Sequence, residues 1–347
     1  MSAVTLESTA SDSLGLDRFA RVALCHQPTP IEPMTRLSAH LGGPALYIKR
    51  DDCTGLAGGG NKTRKLEFLV GEALKANADT LVTQGAVQSN HVRQTAAAAC
   101  RMGLKCHVVL ERRVPGRAAD YEITGNVLLD NLFGATSEYR PAGLDMNAEA
   151  EAVSEALRAE GHNPYFIPGG GSNAVGAMGY AACAEEIVRQ CASLGVAFQW
   201  IVMGTGSTGT QAGLVAGLHA LGVDLPVMGV SVRQPQERQI AAVHRLAASA
   251  AEHLGAATLP VSKVLVDDGY VGEGYGIPAD STLEAIRLTA RQEGVLLDPV
   301  YSGKGMAGLI GLVRQGMFKP TDNVLFLHTG GAQALFAYQD DILNSLN

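Results

Sequence analysis

From residue 45 to residue 331 the chain repeats one pattern: a short apolar run rich in β-branched residues, a turn, then a longer run at helical spacing. ALYIKRDD (45–52) precedes NKTRKLEFLVGEALKAN (61–77), DTLVTQGA (79–86) precedes SNHVRQTAAAACRMG (89–103), and FQWIVMGTG (198–206) precedes TQAGLVAGLHALG (210–222). Further strands are expected at 104–111 and 226–232, within 164–173 before a glycine turn, and within 323–331, running into glycines. Further helices are expected at 125–134, 147–161, 175–191, 281–294 and 304–316. Helical crossovers between strands dictate parallel pairing, so the fold class is α/β with doubly wound open sheets. The expected division is a flexible tail at 1–15, a large domain from 16–64 with 176–347, and a small α/β domain at 65–175. In such sheets ligands gather at the carboxyl ends of the strands. That rule selects the loops at 50–62, 85–91, 168–173, 204–210 and 328–331, all rich in Gly, Ser, Thr, Asn or Lys.

Composition narrows the function classes. The net charge is -7 and no basic face is evident, which argues against nucleic acid as a partner. The six cysteines form no closely spaced pairs, so neither a structural zinc site nor any other metal site is expected. The first fifteen residues lack the basic start and apolar core of a signal peptide, and no run of eighteen apolar residues occurs. The expectation is a cytoplasmic enzyme with a small-molecule substrate and free thiols.

Gly204-Thr205-Gly206-Ser207-Thr208-Gly209 matches the dinucleotide fingerprint G-x-G-x-x-G, between a strand and a helix. The acidic ribose partner, however, is misplaced. Asp224 stands before the next strand, and the residue beyond that strand is Arg233. Three of the six positions are Thr or Ser, and Thr210 follows. Hydroxyls and free N–H groups at a helix start suit a terminal phosphate. A single phosphate is favoured, while NADP with Arg233 on its 2′-phosphate stays open on the motif alone. A second loop, AGGGNKTRKLE (57–67), puts Lys62, Arg64 and Lys65 at a helix start, where the dipole disfavours a cation. A neutral Lys62 amine can form a Schiff base. One amine and one separate phosphate cradle together describe pyridoxal phosphate.

Several blocks in a fixed order sharpen this reading: GGNKTRKLEFL (59–69), QSNHVRQTAA (88–97), IPGGGSN (167–173), GSTGTQAG (206–213), GEGYGIP (272–278), LLDPVYSGK (296–304) and HTGGAQALF (328–336). With them the chain, from about Pro28 to Tyr338, resembles the fold-type II pyridoxal phosphate enzymes of the tryptophan synthase β-subunit class. More narrowly it resembles the group containing 1-aminocyclopropane-1-carboxylate deaminase, D-cysteine desulfhydrase and L-cysteate sulfo-lyase. The resemblance implies that Lys62 bonds pyridoxal 5′-phosphate and moves the substrate's α proton. It implies that Thr205, Gly206, Ser207, Thr208, Gly209 and Thr210 cradle the phosphate, with Lys65 beside them. Asn90 would meet the phenolic oxygen, and Thr329 the pyridine nitrogen. Gln88, Ser89, Asn90 and His91 form the segment that binds the substrate carboxylate, with Ser89 assisting proton transfer, and Tyr275 and Tyr301 match two active-site tyrosines. Family members form homodimers or larger assemblies.

Two positions depart from the ring-opening deaminases, Ser302 in place of Glu and Thr329 in place of Leu. They favour β-elimination. Within that branch RDDCTGL (50–56) and DDGYVGEGYGIP (267–278) look closer to the L-cysteate sulfo-lyases, so the expected reaction is cysteate to pyruvate, sulfite and ammonia. D-Cysteine, releasing sulfide, is the alternative. Thr54, Arg140 and Gln333 are candidate donors to a sulfonate.

Overall fold

The computed structural model describes residues 13–346 and contains two open sheets. The ten strands are β1 (Ile31–Pro33), β2 (Ala45–Lys49), β3 (Thr80–Ala86), β4 (Lys105–Arg112), β5 (Thr136–Pro141), β6 (Pro164–Ile167), β7 (Trp200–Thr205), β8 (Val227–Ser231), β9 (Leu265–Asp267) and β10 (Asn323–Leu327). The helices are α1 (Thr35–Leu41), α2 (Lys62–Lys75), α3 (Asn90–Arg101), α4 (Gly125–Leu132), α5 (Met146–Ala159), α6 (Ala174–Leu194), α7 (Gly209–Ala220), α8 (Gln236–Leu254), α9 (Asp280–Glu293), α10 (Ser302–Arg314) and α11 (Gln339–Asn344). The larger sheet runs β1-β2-β10-β7-β8-β9 and the smaller β5-β4-β3-β6. Every pair is parallel except β1 with β2.

Strand alternation explains the layers. Ile201, Met203, Leu325 and Leu327 face α6, α7 and α8 through Ile187, Leu214 and Ala247. Their neighbours Val202, Val324 and Phe326 face α1, α9 and α10 through Leu37, Ile286 and Leu309. In the smaller sheet Leu81, Val108 and Leu110 pack on α2 and α3, while Val82 and Val109 pack on α5. Both faces of each sheet are covered, as all-parallel pairing requires.

Helix α2 belongs to both cores, with Phe68 in one and Leu66 and Leu69 in the other. It touches α6 so closely that a Cβ on Gly179 would stand 2.3 Å from the Arg64 carbonyl oxygen. Beneath it, fully buried Arg64 donates to both oxygens of fully buried Asp51, at 2.8 and 2.9 Å, and to both oxygens of Glu186. Tyr180 Oη also donates to Asp51, at 2.6 Å. The basic turn read at 62–65 is therefore not a solvated one.

Of the expected tail, residues 1–12 lie outside the described residues, and Leu14 is buried in the larger core. Sequence spacing missed β1, β5, β9, α1, α11 and the 19-residue α8. The apolar face of α8 does have helical spacing, but three of its four buried apolar members, Ala247, Ala250 and Ala251 beside Val243, are alanines. Of the cysteines, Cys53 and Cys100 are exposed. No helix among the described residues is long and apolar enough to cross a membrane.

Candidate active site

The glycine-bearing strand ends of both sheets open onto one cavity of about 670 Å³, lined from all five selected loops. Lys62 enters it from the first turn of α2. Its Nζ donates to Asn61 Oδ1 at 2.9 Å and lies 6.0 Å from the Tyr301 ring centre. Burial pushes this amine down to about 8; nearby Arg93 adds to the effect and Asp298 opposes it. From sequence, the helix dipole and the neighbouring cations are expected to lower this amine's affinity for a proton. The structure gives burial as the leading cause, and Arg64 faces its carboxylate partners instead. Asn61, which sequence reasoning did not single out, also donates through Nδ2 to Thr210 Oγ1 at 2.8 Å. One carboxamide thus ties the lysine to the GTGSTG loop.

That loop leaves β7 and turns into α7 through Thr208, whose φ is 71°. The α7 start carries no side-chain cap. Gly209 N–H points to Ser172 Oγ at 3.3 Å, and a Cβ on Gly209 would come within 2.9 Å of Lys65 Nζ. Lys65 is fully buried and donates to Gly170 O at 3.0 Å. Burial, and then Lys62, hold its amine well below the ordinary lysine value. An uncapped helix start beside a desolvated amine is a site for an anion. Thr205 Oγ1 accepts from Gln239 of α8 at 3.0 Å, so α8 braces the same loop. Ser207, Thr208 and Thr210 also line the cavity, as does Thr329 beyond β10.

Opposite, α3 begins with Ser89 as N-cap, its Oγ accepting from Val92 N at 3.2 Å. Asn90 Oδ1 accepts from Arg93 and from Asn126 Nδ2, the latter at 3.0 Å. His91 is buried, and Thr83 lies between its ring and a carbonyl. Thr83 Oγ1 donates to Ile167 O at 2.8 Å, so His91 Nε2, also at 2.8 Å, must donate to Thr83. Nδ1 is left as a bare acceptor without a partner among the described residues. Burial, with Lys62 and Lys65 nearby, keeps this ring neutral.

Tyr275 and Tyr301 meet through their hydroxyls at 2.5 Å, with rings edge to face. Burial raises both hydroxyl pKa values, so both stay protonated near neutrality. Buried Asp298 fixes Tyr301: its carboxylate accepts from the backbone N–H groups of Val300, Tyr301 and Ser302, and from Ser302 Oγ. Buried Lys304 fixes the other tyrosine loop by donating to Val271 O and Gly274 O at 2.7 and 2.6 Å. Sequence reasoning missed Asp298 and Lys304 as site residues, although DPVYSGK contains both.

Besides Lys65 and Gly209, which meet at the α7 start, four expected residues are not among those lining the cavity. Thr54 spends its hydroxyl on Gly60 and Thr63. Gln88 holds the chain entering α4 through Tyr121 O, Thr124 O and Asn126 N. Arg140 on β5 is paired with Glu138 of the same strand and Glu149 of α5. Gln333 accepts from Arg93 and donates to Gly58 O. In place of the expected sulfonate donors, Arg113, Arg233, Arg238 and Arg245 line the cavity.

The donor set fits pyridoxal phosphate, with a desolvated amine for the aldehyde and an uncapped helix start for the phosphate. Comparison with known proteins points the same way. The sequence matches the family described as "Pyridoxal-phosphate dependent enzyme" over residues 22–330. It is 47% identical over 327 residues to the D-cysteine desulfhydrase of Salmonella choleraesuis (strain SC-B67), covering 94% of this chain and 98% of that protein. The crystal structure of an ACC deaminase homologue aligns with a TM-score of 0.87 at 38% identity, over 95% of this chain and 97% of that one. O-ureido-L-serine synthase aligns with a TM-score of 0.65 at 18% identity, over 91% and 93%, and shares the fold.

Proposed function

This chain belongs to the pyridoxal-phosphate dependent enzymes, and from that premise we propose that it eliminates a sulfur substituent from the β carbon of a small amino acid. D-Cysteine is the first substrate to test; with water it would give pyruvate, sulfide and ammonia. The carrying observation is Lys62, a single desolvated amine at the cavity wall, linked through Asn61 to an uncapped helix start. The cofactor is pyridoxal 5′-phosphate, so the NADP reading of GTGSTG is set aside.

When bound, pyridoxal phosphate supplies an aldehyde for amines and a ring that accepts the electrons released at the α carbon. Lys62 would hold the aldehyde, and its amine, when free and uncharged, would take the α proton. The start of α3 offers N–H groups to the substrate carboxylate, with Ser89 and Asn90 at its mouth. Lys65 and the 205–210 loop hold the phosphate. Thr329 offers a ring nitrogen a hydrogen bond without a charge. The Tyr275–Tyr301 pair can pass a proton to the departing sulfur, because one of its two hydroxyl protons is not needed for the pair's own hydrogen bond. Ser302, bound to Asp298, supplies no carboxylate beside Tyr301, which supports elimination over ring opening.

The cavity also favours a second reading, L-cysteate to pyruvate, sulfite and ammonia. Its lining contains five basic side chains, Lys62, Arg113, Arg233, Arg238 and Arg245, and no Asp or Glu. Incubation with each amino acid and assay of pyruvate, sulfide and sulfite separates the two. Borohydride reduction and peptide mapping should place the pyridoxyl group on Lys62. An adduct elsewhere, or no pyruvate from either amino acid, overturns the proposal. We further propose that the chain works as a homodimer or larger assembly.

A further inference from the structure

The net charge of the chain is -7, yet its main cavity has no carboxylate in its wall. Two of the five basic side chains in that wall are engaged. Lys62 belongs to the cofactor, and Arg113 pairs with Glu111 while covering the Tyr275 ring at 5.0 Å. The other three have no carboxylate partner among the described residues. Arg233 follows the carboxyl end of β8. With its amide oxygen turned toward the guanidinium, Gln234 accepts from Arg233 at 3.1 and 3.2 Å. Arg238 and Arg245 are two turns apart on one face of α8, and the cavity-lining residues between them are Gln239, Ala241 and Ala242. Gln239 anchors the helix to the phosphate loop, which fixes this face at the cavity wall.

Unpaired arginines with no opposing carboxylate, in a cleft of an acidic protein, focus a positive potential where the rest of the surface repels anions. The phosphate loop has its own donors in the α7 start and Lys65, so these three guanidinium groups are surplus to the cofactor. We propose that Arg233, Arg238 and Arg245 form an outer anion subsite that captures small molecules bearing a second anionic group, a sulfonate above all, on their way to Lys62. As a statement about substrate it rests on the lyase reading. As a statement about anion binding it does not. Capture at the mouth raises the rate of productive encounter, so it acts on kcat/KM and leaves kcat to the inner residues. Electrostatic steering of this kind is worth about 10- to 1,000-fold and fades as salt shortens the screening length.

The test uses the cofactor-loaded enzyme, the double variant Arg238→Gln/Arg245→Gln, and the charge-keeping double variant Arg238→Lys/Arg245→Lys. Calorimetric titration with sulfoacetate, which has a sulfonate and a carboxylate but no amine to react, reads the subsite directly. Binding should be lost in the glutamine variant, kept in the lysine variant, and weakened by salt in the unaltered enzyme. For turnover, kcat/KM for L-cysteate should fall at least about tenfold in the glutamine variant, relative to kcat/KM for D-cysteine, with kcat for L-cysteate held. Equal sulfoacetate binding by unaltered enzyme and glutamine variant, or no binding by either, overturns the subsite whatever the turnover shows. Loss of binding in the glutamine variant with no turnover of either amino acid upholds the subsite and removes the lyase reading instead.

Discussion

Single residues set the chemistry, and Lys62 is the clearest case. Apoenzyme captures an aldehyde through the uncharged amine, and burial holds Lys62 near 8. Below that value the amine is protonated and inert, so the rate of cofactor capture should climb with pH and level off just above 8. A rate still rising steeply at pH 10, as for an exposed lysine, would show that burial is not in control. Gly209 is set by space rather than charge. A methyl group there would press on Lys65 Nζ and Ser172 Oγ, each at 2.9 Å. Overpacking of this kind costs about 1–3 kcal/mol, so Gly209→Ala should bind pyridoxal phosphate roughly 5- to 150-fold more weakly in an equilibrium titration.

At the scale of elements, the site depends on how helices are pinned. Helix α2 is held from below by Arg64, Asp51 and Glu186. Removing one partner of a buried ion pair leaves the other charge stranded, so Asp51→Ala should lose about 3–5 kcal/mol in denaturant unfolding. A loss under 1 kcal/mol would mean that the network does not anchor the helix. The loop carrying Tyr275 hangs on Lys304 of α10. In Lys304→Met the two carbonyls lose their donor and Tyr275 loses its position. Misplacement of a catalytic group by about an ångström costs up to roughly 100-fold. The expected result is a fall in kcat of roughly tenfold or more, with the cofactor absorbance unchanged. An unaltered kcat would detach Lys304 from the tyrosine pair.

Over the whole molecule, the cavity draws on loops from both sheets, so a ligand there couples them. Pyridoxal phosphate binds the folded chain and its site does not exist in the unfolded one. At a hundredfold excess over Kd this is worth about 2.7 kcal/mol. Differential scanning calorimetry should show the melting temperature of holoenzyme several degrees above that of apoenzyme. Identical melting temperatures would deny that the cofactor bridges the two sheets.

What the sequence determined by itself was the parallel α/β class, the strand-end loops that line the cavity, and the place of Lys62 among them. These are local properties: strand and helix periodicities, turn glycines, and a lysine at a helix start have physical meaning within a dozen residues. The tertiary structure alone decided which polar residues face the cavity. Thr54, Gln88 and Gln333 have the right donors in the right blocks, but their hydrogen bonds are taken elsewhere: Thr54 by Gly60 and Thr63, Gln88 and Gln333 by backbone groups far along the chain. Arg238 and Arg245 sit on a helix that spacing did not reveal, yet they line the site because α8 packs beside the β7 loop. The reason is physical: periodicity fixes which face of an element is apolar, whereas the partner of a hydrogen bond or a charge depends on which elements meet, and that is settled only when the two sheets and their helices pack.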